Sequence, residues 1–257
     1  FGINLDNGLY HCFSCGEGGT LVQLAQQLLN LSPFDAQEKI YGDLKFEEIE
    51  RIIAGSPRTV EEPITPLECD VVSWAKTYTP YWAERGFTQE TIGRWQLGFN
   101  NEIQRAVVPI YFNRVLVGWT ARRVDEVVQP KWQHSEHLPR RSILFGVDKF
   151  SDKSCILVEA PLSAIMLDQQ GIHNGVASFG CSLSQGQADL IRGRYENVLI
   201  DYDPDKAGHD GTKRAIRMLA PYVNVFTVGH TRDDPAAQSQ EENMAAISTV
   251  YPAWEFK

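Results

Sequence analysis

The spacing of hydrophobic positions becomes regular in the C-terminal part of the chain. From residue 154 onward, short continuous apolar runs alternate with stretches in which apolar residues recur every three or four positions. Strands that are buried on both faces and alternate with amphipathic helices are typical of a parallel sheet. The predicted strands are 155–158, 175–178, 198–200 and 223–228, and the predicted helices are 162–170, 184–194 and 208–219. The pattern therefore predicts an α/β fold for this region.

The middle of the chain has a mixed pattern. The predicted elements are a helix over 71–85, a second helix from Thr88, and strands over 106–112 and 115–121. Only Asn113 and Arg114 separate the two strands, and this short connection favours a β-hairpin. We therefore expect an α+β subdomain on the N-terminal side of the parallel sheet.

The N-terminal residues contain the sequence Cys12-Phe-Ser-Cys15, followed by a helical stripe of leucines that begins after Thr20. Threonine is a favoured N-cap residue, so a helix is predicted to begin there. The polar stretch 55–66 has no apolar periodicity and predicts a linker. The predicted organisation is an N-terminal unit over 1–45, a linker over 46–70, an α+β subdomain over 71–152 and a parallel-sheet domain over 153–257.

Composition narrows the class of protein. A hydrophobic fraction of 43% is typical of a globular protein. No apolar run approaches the ~18–20 residues of a membrane span, and the first residues lack a signal-peptide pattern, so we expect a cytoplasmic protein without a membrane partner. The net charge of −9 argues against a protein that coats nucleic acid. Residues 105–149 are an exception, with eight basic and four acidic side chains.

Carboxylates follow two of the predicted strands. Glu159 comes directly after the first strand of the sheet, and Asp203 and Asp205 follow the third. Ligands bind outside the carboxyl ends of parallel strands, and crowded carboxylates favour a cation between them. Mg²⁺ prefers such oxygen ligands together with substrate phosphates, and Lys206 and the next helix N-terminus add positive charge. A lone Asp-x-Asp is often only a turn or a helix cap, but its combination with Glu159 favours a metal site.

The segments around these carboxylates resemble the Toprim domain, which occurs in bacterial-type primases, topoisomerases and some nucleases. The resemblance is carried by Leu157–Ala164, Ala177–Gly180 and Asp203–Gly208. It implies a Rossmann-like fold and a catalytic Mg²⁺ or Mn²⁺ site. The metal ligands that it implies are Glu159, Asp203, Asp205 and Asp234, of which the first three are the catalytic residues. Two departures from the family pattern are visible, because Ala160 replaces a glycine and Ser163 stands where many primases have an aspartate.

The middle segment is similar to the polymerase domain of bacterial-type (DnaG-like) DNA primases. The matching stretches are Tyr81–Thr88, Leu97–Phe99, Arg105–Ile110, Val117–Arg123, Pro130–Trp132 and Leu144–Gly146. The resemblance implies an enzyme that makes short RNA primers on single-stranded DNA from ribonucleoside triphosphates, in a primosome with a replicative helicase. Arginine and lysine bind phosphate, and tryptophan stacks on bases. The candidate template and nucleotide ligands are Arg105, Arg122, Arg123, Lys131, Trp132 and Lys206.

Cys12 and Cys15 resemble the second knuckle of the primase zinc ribbon, whose other ligands lie upstream in that family. Zinc takes four ligands, so the resemblance implies Zn²⁺ in the intact protein and half of its site in this sequence. Because the sequence begins inside that unit, we expect a fragment of a longer chain, in which retention of zinc stays open. The acidic composition and compact motif spacing suit a phage or plasmid as well as a bacterial chromosome.

Two other functions stay open. A Toprim nuclease would use the same carboxylates to cleave DNA without nucleotides. A non-catalytic replisome module, suggested by the acidic charge and by Ala160 and Ser163, would bind a helicase and form no metal-dependent product. For any single basic residue in the middle segment, a solvated surface is the simpler interpretation.

Overall fold

The computed structural model describes residues 2–4, 9–11, 18–32, 35–36, 39–40, 64–67, 80–125, 129–228, 234–253 and 256. The predicted zinc knuckle at Cys12 and Cys15, most of the predicted linker and most of the predicted helix over 71–85 lie outside these residues. The strands within the described ranges form three sheets.

The N-terminal sheet is a small antiparallel unit. It contains β1 (Gly2–Asn4), β2 (Leu9–His11) and β3 (Gly18–Thr20), in the order β1-β2-β3. Helix α1 (Leu21–Leu29) follows directly. The Thr20 hydroxyl accepts a hydrogen bond from the Gln23 N–H, and the Gln23 side chain accepts one from the Thr20 N–H, at 3.2 and 2.8 Å. This capping box confirms the predicted helix start.

The middle of the chain forms a four-stranded antiparallel sheet, preceded by two short helices. The helices are α2 (Tyr81–Glu84) and α3 (Gln89–Trp95), and the strands are β4 (Gly98–Asn100), β5 (Arg105–Phe112), β6 (Val115–Arg123) and β7 (Trp132–His134), in the order β4-β5-β6-β7. Asn113 and Arg114 have φ values of 51° and 63°, the left-handed pair that a two-residue hairpin turn of type I′ requires. The predicted hairpin is confirmed, whereas β4 and β7 were not predicted.

The C-terminal part alternates strands and helices, as predicted. Its elements are β8 (Ser154–Val158), α4 (Pro161–Gln169), β9 (Gly175–Ala177), α5 (Gln185–Arg194), β10 (Asn197–Asp201), α6 (Lys206–Leu219), β11 (Asn224–Val228), a 3₁₀ turn (Pro235–Ala237), α7 (Gln240–Ser248) and β12 (Val250–Pro252). The sheet order is β12-β11-β10-β8-β9. Strands β8 to β11 are parallel, and β12 adds an antiparallel edge. The predicted α/β fold is confirmed, and the C-terminal α7 and β12 are additions to it.

Helix α4 lies at the centre of the molecule. Its residues from Pro161 to Asp168 are all buried, because the helix packs against β8 and β9, the 3₁₀ turn and α3. A helix that is covered on every side needs no polar face, which is why most of its residues are apolar, and its buried polar residues Ser163 and Asp168 form hydrogen bonds. Trp95, the last residue of α3, stacks on Phe145 with ring centroids 5.1 Å apart. The antiparallel sheet and the parallel sheet are therefore joined by one hydrophobic core.

None of the helices formed by the described residues is both long and apolar enough to span a membrane.

Candidate active site

The ends of two neighbouring strands bring the predicted carboxylates together. Strands β8 and β10 pair in parallel, with Val158 opposite Asp201, so the residues that follow them emerge side by side. The Asp203 backbone N–H donates a hydrogen bond to Glu159 Oε1 at 3.1 Å. The two carboxylates predicted from separate strands therefore belong to one site.

The loop after β9 holds the backbone of Glu159. The Gly180 N–H donates to the Glu159 carbonyl at 2.9 Å, and the Ser178 N–H donates to the Val158 carbonyl at 3.1 Å. The hydroxyls of Ser178 and Tyr202 share a hydrogen bond of 2.9 Å. These contacts tie the loop to both strand ends and fix the place where Glu159 leaves the sheet.

Asp234 supplies a third carboxylate from a different element. It is the N-cap of the 3₁₀ turn, and its Oδ1 accepts a hydrogen bond from the Ala236 N–H at 2.9 Å. The Ser163 hydroxyl, on α4, donates to the same oxygen at 2.7 Å. Asp234 is thus brought to the parallel strand ends although it lies far from them in sequence.

A cavity of about 250 Å³ separates these carboxylates from the antiparallel sheet. Glu159, Asp203 and Asp234 line one side. The facing wall comes from β6 and β7 and the residues before β7, namely Thr120, Arg122, Lys131, Trp132 and His134. Ala160, Pro161, Phe179 and Gly180 complete the lining. The pocket therefore has an acidic side and a side with cationic and aromatic residues.

Burial and mutual repulsion raise the pKa of two carboxyl groups in this pocket. The pKa of Glu159 is raised to about 7, first by burial and then by the charge of Asp203. The pKa of Asp203 is raised to about 6, first by burial and then by the charges of Asp234 and Asp205, while Lys131 opposes the rise. A cation bound beside these two carboxyl groups would favour their ionised forms and oppose both causes of the raised pKa values.

The donor set fits a hard divalent cation. All three lining carboxylates offer oxygen, which Mg²⁺ and Mn²⁺ prefer over nitrogen or sulfur ligands. Among the residues that the structure describes, no three His, Cys, Asp or Glu side chains form a group that could by itself hold a metal ion. The pocket resembles instead an open magnesium site, in which one or two carboxylates bind a metal that keeps water and substrate ligands.

The cationic wall is organised by cross-strand pairing. Arg122 on β6 lies opposite Trp132 on β7, and its guanidinium carbon is 5.3 Å from the centroid of the indole ring. This cation–π contact holds both side chains at the pocket wall. Lys131 is exposed, and its charge reaches Asp203 across the cavity.

Two predicted residues, Asp205 and Lys206, are not among the residues that line the pocket. Asp205 is exposed and caps helix α6, because its Oδ1 accepts a hydrogen bond from the Gly208 N–H at 2.8 Å. Its charge still raises the pKa values of Glu159 and Asp203. Lys206 is exposed at the start of the same helix. At the helix N-terminus that was expected to add positive charge, the Gly208 N–H is thus already bound by Asp205.

Two predicted arginines do not line the pocket. Arg123 follows Arg122 on β6, and consecutive strand side chains point to opposite faces of a sheet. Arg105 is only 1% exposed, and its guanidinium lies 3.5 Å from the Lys131 carbonyl oxygen. The prediction of a direct phosphate contact for Arg105 is corrected by this burial, and its position suits support of the Lys131 backbone.

His134 lines the pocket but was not predicted. Burial, followed by the charge of Arg140, lowers its pKa to about 4, so the imidazole is neutral at physiological pH. Its position follows from the two-residue period of β7, which places Trp132 and His134 on the same face. An assignment of β7 from sequence would have found it, but the strand has only three residues and no apolar alternation.

The raised pKa values predict a pH dependence of stability and metal binding. The folded, metal-free protein holds more protons than the unfolded chain on Asp203 between about pH 3.8 and 6 and on Glu159 between about pH 4.5 and 7. Its free energy of unfolding should therefore fall as the pH rises through these ranges. A metal ion must displace the same protons, so the increase in thermal midpoint caused by Mn²⁺ should grow from about pH 5.5 to about pH 8. An increase that is equal at both pH values would contradict the assignment.

Gly208 allows the two acidic segments to approach each other. A Cβ atom at this position would overlap the Asp203 carbonyl oxygen and lie 2.9 Å from Glu159 Oε1. We expect Gly208→Ala to lower the free energy of unfolding by about 1–3 kcal/mol and to weaken Mn²⁺ binding, because both carboxylate segments must shift. Gly193→Ala is the matched control, since a Cβ atom added to that helical glycine would meet no neighbouring atom within 4 Å. Calorimetry should find Gly193→Ala neutral or stabilising.

Residues 156–237 match the family described as Toprim-like. Curated relatives extend the similarity beyond this region. The DNA primase of Clostridium acetobutylicum is 25% identical over 279 aligned residues, which cover 85% of this chain and 46% of that protein. The DNA primase of Helicobacter pylori is 24% identical over 267 residues, which cover 86% of this chain and 48% of that protein. The chain thus spans about half the length of the curated relatives it matches.

Solved primase structures share the fold. The Aquifex aeolicus primase, comprising zinc-binding and RNA polymerase domains, gives a TM-score of 0.60 at 24% identity and covers 98% of this chain and 76% of that chain. The DnaG primase catalytic domain bound to ssDNA gives a TM-score of 0.61 at 22% identity and covers 74% of this chain and 76% of that chain. The chain is thus similar in sequence to bacterial DNA primases over most of its length, matches a Toprim-like family over residues 156–237, and shares the fold of solved primase structures.

Proposed function

We propose that this chain is the catalytic part of a DNA primase, which synthesises short RNA primers on single-stranded DNA by metal-dependent nucleotidyl transfer. The observation that carries the proposal is the pocket in which Glu159, Asp203 and Asp234 face Arg122 and Lys131. Nucleotidyl transfer needs a divalent cation and a way to bind a polyanionic triphosphate. The two walls of the pocket match these two needs.

One or two of the carboxylates of Glu159, Asp203 and Asp234 would hold Mg²⁺ or Mn²⁺ together with substrate phosphate, and Asp205 adds negative charge nearby. A bound metal ion supplies Lewis-acid activation of the primer 3′-oxygen and neutralises the triphosphate. The chain itself keeps the ligands in place. The Asp203 N–H donates to Glu159, and Lys131 favours the ionised form of Asp203 by lowering its pKa.

The cationic wall would bind the nucleic acid and the incoming nucleotide. Arginine offers phosphate two parallel donors, and lysine offers a compact charge, so Arg122 and Lys131 suit a backbone or a triphosphate. Trp132 is positioned for stacking on a base by its contact with Arg122. His134 is neutral and can form hydrogen bonds with a ligand without adding charge.

The relatives support the choice of substrates. The curated relatives are DNA primases, and one structural neighbour is a primase catalytic domain bound to ssDNA. We extend the activity and the single-stranded DNA template to this chain, acting in the cytoplasm. A replicative helicase partner and Zn²⁺ at Cys12 and Cys15 stay predictions of the same proposal.

Primer synthesis by the purified chain tests the proposal. The chain is incubated with single-stranded DNA, labelled ribonucleoside triphosphates and Mg²⁺ or Mn²⁺, and the products are separated on a denaturing gel. We expect short RNA products that require the template and the metal and disappear with a chelator.

The same gel distinguishes the other functions. Shortening of the labelled DNA in the absence of nucleotides would favour a Toprim nuclease over a primase. The absence of both RNA products and DNA cleavage, with single-stranded DNA still bound, would favour a binding module and would contradict the proposal.

A further inference from the structure

Ser163 on helix α4 forms a hydrogen bond with Asp234, the third carboxylate of the site. Among the described residues, this is the one hydrogen bond between α4 and the Asp234 side chain. The Ser163 hydroxyl is buried, with 2% of the residue exposed, and donates to Asp234 Oδ1 at 2.7 Å. The second hydrogen bond to Asp234, from the Ala236 N–H, falls on the same oxygen. Neither bond is made by Oδ2. The carboxylate is therefore held by one oxygen, and the other is left for the pocket that Asp234 lines.

The segment that carries Asp234 is anchored independently of Ser163. Asn243, on α7, is completely buried, and its side-chain N–H groups donate to the Pro235 carbonyl at 3.0 Å and to Gln170 Oε1 at 2.7 Å. Gln170, at the end of α4, donates in turn to the Gln238 carbonyl at 2.8 Å. Loss of the Ser163 hydroxyl should therefore change the orientation of the carboxylate while the segment stays attached to α4.

We propose that Ser163 is a positioning residue, which orients Asp234 so that its Oδ2 oxygen is available to a divalent metal ion in the pocket that Glu159 and Asp203 also line. The inference rests on the proposed function, because it assigns a role within the same metal site. A neutral hydroxyl suits this task. It satisfies one oxygen of Asp234 without adding a further negative charge to a pocket that already contains three carboxylates.

The test measures Mn²⁺ binding by the whole chain, without nucleotides. We expect Ser163→Ala to weaken Mn²⁺ binding about 10- to 100-fold, the range found when a partner of a metal ligand is removed. Ser163→Thr keeps the hydroxyl and should retain most of the affinity. Ser248→Ala is the matched control, because it removes an exposed hydroxyl at the end of α7 that donates to the Met244 carbonyl and does not touch Asp234. Its Mn²⁺ affinity should equal that of the parent.

A double-mutant cycle with Asp234→Ala separates positioning from general damage. If Ser163 acts through Asp234, adding Ser163→Ala to Asp234→Ala should weaken Mn²⁺ binding no further. An equal loss in both backgrounds, or parental affinity in Ser163→Ala, would overturn the inference. A parent chain that binds no Mn²⁺ would overturn both this inference and the proposed function. A failure of the proposed function alone would give a different result. Mn²⁺ binding would still depend on Ser163, but the chain would form no primers.

Discussion

Replacement of Asp203 by alanine should abolish primer synthesis. We expect the initial rate to fall at least about a thousandfold, equivalent to about 4 kcal/mol of transition-state stabilisation. Asp203 lines the pocket, and its backbone N–H holds Glu159 at 3.1 Å. Only the side chain is removed, so the hydrogen bond to Glu159 can persist while the metal ligand is lost. The rate should be measured with saturating Mn²⁺ and ribonucleotides, together with the Mn²⁺ affinity.

Two further variants test whether the loss of activity is specific to the carboxylate of Asp203. Asp203→Asn keeps the shape of the side chain but removes its charge, and we expect it to be nearly as inactive as alanine. Asp210→Ala removes an exposed carboxylate on α6 and should keep the parental rate. Parental activity in Asp203→Ala would exclude this pocket as the site of nucleotidyl transfer. Equal losses in Asp203→Ala and Asp210→Ala would point to a general effect of charge.

The acidic half of the site was predictable because it depends on local features. Glu159 and Asp203 each follow a short apolar strand, and the carboxyl ends of parallel strands meet at one edge of a sheet. The only non-local condition was that β8 and β10 are neighbours, which the structure confirms. Asp234 is different. Its place depends on the 3₁₀ turn and on Ser163, and the resemblance to a family suggested it without giving these contacts.

The cationic half could not be derived in the same way. Which of two successive arginines faces the pocket is decided by the register of β6 with β7, where Arg122 pairs with Trp132. A one-residue shift would exchange the faces and put Arg123 in its place. The burial of Arg105 likewise follows from packing of the residues around it and not from its own sequence neighbourhood. The basic composition predicted which region of the chain forms the cationic wall. Which basic residues of that region face the pocket is decided by the pairing of the strands.

Asp168→Ala should be the most destabilising of the substitutions considered. Asp168 is buried, with 5% of the whole residue exposed, and its carboxylate joins α4 to α3. It accepts a hydrogen bond from Trp95 Nε1 at 2.7 Å and forms an ion pair of 2.8 Å with Arg94. Removing one partner from a buried pair costs about 3–5 kcal/mol, and partial exposure of Arg94 places the expected loss near about 3 kcal/mol. The thermal midpoint should fall by roughly 6–12 °C.

Asp189→Ala is the matched surface control for this effect. Asp189 pairs with Arg192 at 2.7 Å, as close as the Asp168 pair, but its side chain is 57% exposed against 4% for Asp168. Surface ion pairs contribute about 0–1 kcal/mol, so this variant should unfold within about 2–4 °C of the parent. Similar losses in both variants would mean that burial does not set the contribution of Asp168. A large loss only in Asp168→Ala would show that this buried contact holds the antiparallel part against the sheet that carries the acidic site.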